Sequence, residues 1–92
     1  MAYNISLQVE AISELREAFD WYEEQKDGLG YELLEEIEAC YEKLLINPHR
    51  YSFINPNYRR IRTGRFPYIL VYEIEGDDII INSVRHIKRQ PL

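Results

Sequence analysis

The basic side chains of the second half of the chain are the residues whose types and spacing could do chemistry. Arg60 and Arg62 share one face of a strand-like run, Arg59 takes the other face, and Arg65 follows in a turn. Arg85, His86, Lys88 and Arg89 form a second basic cluster at the chain end. Guanidinium forks grip carboxylates or phosphates through parallel N–H groups, and several held together on a rigid strand are costly unless exposed or paired. The chemistry that fits such a set is recognition of an anionic or acidic partner surface, for which Arg60, Arg62, Arg65, Arg85, His86, Lys88 and Arg89 are the candidate residues. The structural alternative is that the arginines pair with helix glutamates, as exposed ion pairs often do at little energetic gain, and that His86 makes a structural hydrogen bond. Nothing has metal-ligand spacing. Cys40 is the only cysteine, and His49 and His86 lie far apart without clustered carboxylates, so neither a metal nor a cofactor is expected.

The elements that must position these cations are legible in the hydrophobic pattern. Tyr68, Leu70, Tyr72 and Ile74 alternate with Ile69, Val71 and Glu73 at a strand's period of two, and the run from Ile79 to Val84 is rich in β-branched residues. Glu75-Gly76-Asp77-Asp78 joins the two runs as a hairpin, with Gly76 free to take positive φ. Tyr68 and Tyr72 fall on the core face, their hydroxyls reaching a polar edge. At the other end, Tyr3, Ile5, Leu7 and Val9 alternate with polar residues as a first strand. From about Glu10 to Gln25, Ile12, Leu15, Phe19 and Tyr22 recur at helical spacing, thickened by Ala11 and Ala18, with Trp21 at the margin. Lys26-Asp27-Gly28 breaks that helix through a left-handed glycine. A second helix follows from about Leu29 to Ile46, with Leu33, Leu34, Ile37, Cys40, Tyr41, Leu44 and Leu45 as its stripe, and Pro48 ends it. Cys40 reads there as a small buried hydrophobe. Residues 49–57 form an irregular connection anchored by Tyr51 and Phe53. Two helices joined by a short turn make an antiparallel hairpin whose apolar face needs a sheet to cover it. The expected fold is therefore α+β, β-α-α-β-β-β, with a two-helix hairpin packed on a mainly antiparallel four-stranded sheet.

Ninety-two residues make one compact domain, residues 1–92, of the size that buries roughly 60–65% of its unfolded surface. Hydrophobic residues reach 46%, which excludes a chain disordered by composition. No apolar run is long enough to span a membrane and the N-terminus has no signal-peptide pattern, so a cytoplasmic protein without a membrane partner is expected. The net charge of −5 is unevenly spread. Residues 1–46 hold twelve carboxylates against three Lys/Arg, whereas residues 47–92 hold eight Lys/Arg against four carboxylates. Such a polarised molecule can meet an acidic partner with its basic half.

Three pieces of the second half resemble the ParE/RelE superfamily, the small toxins of bacterial type II toxin–antitoxin pairs, also called plasmid-stabilisation proteins. They are Tyr58-Arg59-Arg60-Ile61-Arg62, Tyr68-Ile69-Leu70-Val71-Tyr72, and the ending Val84-Arg85-His86-Ile87-Lys88-Arg89-Gln90-Pro91, whose His-x-x-Arg-x-Pro is the most specific. The resemblance implies a cognate antitoxin as partner, with a homodimer or a hetero-oligomer with the antitoxin as possible assemblies. It also implies one of two activities: inhibition of DNA gyrase by the ParE-like branch, or cleavage of messenger RNA on the ribosome by the RelE-like branch. RelE-like ribonucleases carry arginines where this chain has Ile69 and Ile87, and a tyrosine near the end where it has Gln90-Pro91-Leu92. These departures favour a ParE-like toxin that binds a protein target. The alternatives are a ribonuclease with a rearranged site, in which Arg62, Arg65 and His86 would be the catalytic candidates that stabilise the developing phosphorane and protonate the leaving oxygen, and an inert scaffold that binds only an antitoxin-like peptide.

Overall fold

The computed structural model describes residues 2–88, and Arg89 of the predicted basic cluster lies outside them. In chain order the elements are β1 (Asn4–Leu7), α1 (Val9–Gln25), α2 (Leu29–Ile46), a single 3₁₀ turn at Pro48–Arg50, β2 (Arg59–Arg62), β3 (Tyr68–Glu75) and β4 (Asp78–His86). The strands form one sheet in the order β1-β4-β3-β2. β1 runs parallel to β4, and the other two pairings are antiparallel. The predicted α+β architecture is the observed one.

The hairpin of helices covers one face of this sheet. Ala11 and Ala18 of α1 and Leu33, Ile37, Cys40 and Leu44 of α2 are buried against Ile61, Tyr68, Leu70, Tyr72, Ile79, Ile81 and Val84. Gly30 lets the helices approach closely, because a Cβ there would stand 2.7 Å from the Phe19 carbonyl oxygen. Glu23 of α1 then receives the Gly30 N–H at 2.8 Å and the Gly28 N–H at 3.3 Å, satisfying amides that the start of α2 would leave unpaired. Gly28 at φ 89° and Gly76 at φ 61° adopt the left-handed region expected of them.

Three expectations are corrected, the first being Leu45, which falls in the predicted stripe of α2 but is exposed beside the buried Leu44. Val9 belongs to α1 and is exposed, not to the first strand: the Gln8 N–H bonds to the Ile81 carbonyl as the last rung of β1, and the Gln8 carbonyl already accepts from Ile12. In α1, Ala11 takes the core position and Ile12 stands half-exposed, since the close approach to the sheet admits only the smaller side chain.

A β-bulge in β4 resets which side chains face the helices. Val71 pairs with Ser83 while Tyr72 pairs with Ile81, so Asn82 is an extra residue on β4. Strict alternation from Ile79 and Ile81 would turn Ser83 and Arg85 toward the helices. The bulge instead brings Val84 and His86 to that face and sends Arg85 to the other. The Val84 N–H is taken up by Glu14 Oε1 of α1 at 2.8 Å.

Candidate functional site

Register decides where each arginine of β2 goes. Arg59 pairs with Tyr72 and so faces the helix side, where its guanidinium donates to the carbonyls of Tyr51 (2.7 Å) and His49 (2.9 Å) and lies 3.9 Å over the Phe53 ring. It fixes the connection between α2 and β2, alongside Tyr72 Oη, which donates to the Pro48 carbonyl at 2.6 Å. Burial pushes the Tyr72 hydroxyl pKa up to about 12. Arg60 and Arg62 pair with Val71 and Ile69 and face the opposite side. Both are exposed and, among the described residues, neither makes an ion pair.

Arg60 and Arg62 open onto a groove of about 780 Å³ at the β2 edge. Lys43 from the last turn of α2 and Arg50 from the 3₁₀ turn join them, so four cations surround the groove and, among the described residues, no carboxylate or histidine lines it. Its floor is apolar, made by Ile61, Ile69 and Ile87, with Tyr51 and Ser52 completing the wall. Ile69 and Ile87 are the two residues that the resemblance sets at arginine positions of the ribonuclease branch. They contribute greasy surface here, not charge.

The other predicted residues divide. Arg65 sits on α2: its guanidinium pairs with Glu32 and approaches Glu36 Oε2 at 3.9 Å, while the Glu36 carboxylate also accepts the Arg65 and Phe66 N–H groups at 3.1 Å each. The hydrogen bond to Glu32 is the main cause that raises the Arg65 pKa. Glu36 thereby straps the β2–β3 turn to the helix. Arg85 lies on the outer sheet face, its Nε donating to Ser83 Oγ at 3.0 Å, in a smaller hollow with Ile54, Asn55, Tyr58, Val71 and Asn82. His86 is on the helix side. Its ring stands edge-on to Tyr68 at 5.1 Å in a recess with Glu14, Glu17 and Trp21, and its Nδ1 accepts the Lys88 N–H at 3.1 Å. The three candidate catalytic groups are therefore not brought together: Arg62 lines the groove, Arg65 is paired to α2, and His86 faces α1. Cys40 is buried, with its thiol pushed up to about 11 by desolvation, as a core residue and not a nucleophile.

Lys43 and Arg50 were missed by sequence reasoning. A lysine in a last helical turn is accounted for by the helix dipole alone, and Arg50 stands in an irregular segment with no period to orient it. Their one shared signal is that both flank Pro48, the point where the chain turns toward β2.

A search of curated proteins finds no match to this chain. Among solved structures it is similar to a chain of the chromosomal ParDE toxin–antitoxin system from P. aeruginosa, with a TM-score of 0.81 over 94% of this chain and 97% of that one, at 14% identity. At that identity the likeness establishes the fold. The family is established separately, because the model of the ParE toxin of type II toxin–antitoxin systems matches residues 5–91, and the chain therefore belongs to the ParE toxin family.

Proposed function

We propose that this protein is the toxin of a type II toxin–antitoxin pair, acting in the bacterial cytoplasm by binding a protein target, DNA gyrase by analogy with the ParE branch, and neutralised by a cognate antitoxin. The observation that carries this reading is the groove at β2: Lys43, Arg50, Arg60 and Arg62 around an aliphatic floor, with no carboxylate or histidine among the described residues that line it. Cations over apolar surface suit a protein segment that offers carboxylates and aliphatic side chains together. Among the described residues no carboxylate or histidine stands beside them as a general acid or base, which favours binding over hydrolysis. Arg60, Arg62 and Arg85 face one side of the sheet and are assigned to the target or antitoxin surface; Arg65, paired to α2, and His86, on the helix side of the sheet, lie off that face.

The ribonuclease reading keeps one favourable feature, the exposed Arg60 and Arg62, which could hold a phosphate. The two separate cleanly by experiment. Purified toxin added to gyrase should inhibit supercoiling of a relaxed plasmid, and co-purified antitoxin should relieve it. Primer extension on translated messages after induction should show no new cuts; cuts within ribosome-bound codons, together with uninhibited gyrase, would transfer the protein to the ribonuclease reading.

A further inference from the structure

The free margins of the sheet are treated differently. At β2, Thr63 bonds to Tyr68, so the backbone groups of Arg60 and Arg62 alternate to the outside. That margin is largely covered: the Arg60 N–H donates to the Ser52 carbonyl at 3.0 Å, Phe53 bridges to Arg59, and the Cys40 thiol donates to the Arg62 carbonyl at 3.6 Å. Beyond Ile81, where β1 ends its pairing with β4, Glu14 caps the Val84 N–H at 2.8 Å. The outer margin of β1 has no such cover. Its rungs to β4, from the Asn4 N–H to the Asp77 carbonyl and from the Gln8 N–H to the Ile81 carbonyl, commit the backbone of the even residues to that strand. Ile5 and Leu7 therefore turn their N–H and C=O groups away from the sheet, and among the described residues no hydrogen bond reaches them.

Edge strands are commonly guarded by charged side chains, as β2 is by three arginines. β1 is not guarded in this way, since Ala2 to Val9 holds no charged residue. Such a strand has nothing to attract a basic or acidic segment, whereas its own alternation is self-complementary. Two copies set antiparallel about Ser6 place Ile5 of each beside Leu7 of the other on the helix-covered face, where both are only half-buried in a single copy. The same register brings Val9, 77% exposed, next to Tyr3 of the second copy. On the other face the exposed Ser6 meets its own counterpart, and no like charges are brought together.

We propose that the free edge of β1 pairs antiparallel with the same edge of a second copy, making one continuous sheet with β2 at both ends. The two basic grooves then stay open, roughly 34 Å apart at the usual strand spacing. The test is made on the whole chain. Across a two-fold axis at Ser6 the two Cα atoms stand about 4.5 Å apart, within reach of a disulfide, whereas Asn4 faces Gln8 of the other copy. Oxidised Ser6→Cys should therefore run as a covalent dimer and Asn4→Cys, on the same face, as a monomer; Cys40 is buried and does not compete. Sedimentation over a concentration series should give a dimer for the parent, weakened at least about tenfold by Ser6→Lys, which sets like charges on the axis, and unchanged by Arg60→Ala/Arg62→Ala. Unfolding midpoints close to the parent's confirm that each variant is folded. A parent that stays monomeric at the highest concentration, equal cross-linking of the two cysteine variants, or a dimer indifferent to Ser6→Lys would overturn the proposal.

Discussion

Arg59 and Arg65 differ from Arg60 and Arg62 in nothing that their side-chain chemistry reveals, yet the fold uses the two pairs in opposite ways. The first pair is spent internally, on carbonyls of the α2–β2 connection and on carboxylates of α2. The second pair is left facing a groove floored by isoleucines. The difference lies in the partners that the strand register and the turn supply. A guanidinium beside backbone carbonyls or a helix carboxylate holds structure, whereas one that forms no ion pair among the described residues is available to an anion from outside. The same contrast extends to the elements behind them: a hairpin and sheet that hold the shape, and an edge that presents charge.

The largest effect expected on the holding side is a core cavity. Leu33→Ala, at a fully buried site, should destabilise by roughly 2–5 kcal/mol in urea unfolding. Any toxicity lost should follow the fraction unfolded. Next comes the strap: Glu36→Ala deprives the Arg65 and Phe66 amides of their acceptor and Arg65 of a neighbour, and should cost about 1–3 kcal/mol. If Glu36→Ala were neutral for stability and abolished target binding, the division between holding and presenting residues would fail at this turn.

A smaller effect should appear only in alkali. Burial raises Cys40 from 9.0 to about 11, and Tyr41 and Tyr72 from 10.0 to about 12. Each group keeps its proton longer in the folded state, so its contribution is complete below the unfolded value and lost as pH rises through the folded one. The urea midpoint should therefore hold level through neutral pH with respect to these groups and fall above about pH 9. Tyr72→Phe should flatten part of that fall, and an unchanged slope would remove Tyr72 from the explanation.

Most of the fold was legible because hydrophobic period specifies it directly. The second helix has the bounds that its stripe and Pro48 predict, and the opposite facing of Arg60 and Arg59 follows from alternation alone. The site was harder to read, for physical reasons. The β4 bulge breaks alternation after Ile81, so it separates Arg85 from His86, which the sequence presents as one basic cluster. Arg65 looks like its neighbours until Glu32 and Glu36 arrive from more than one element away. Lys43 and Arg50 reach the groove only through the turn after α2, and no local pattern announces that convergence.

The central claim, that the β2 groove is the working surface and not part of what holds the fold, is tested most directly by Arg60→Ala/Arg62→Ala measured in two ways on the same variant. Growth inhibition on induction should be lost, while the unfolding free energy of the purified protein should stay within about 0.5 kcal/mol of the parent, as for exposed residues away from special features. A folded variant that remains fully toxic would contradict the account, and so would one whose loss of toxicity is matched by loss of the folded state.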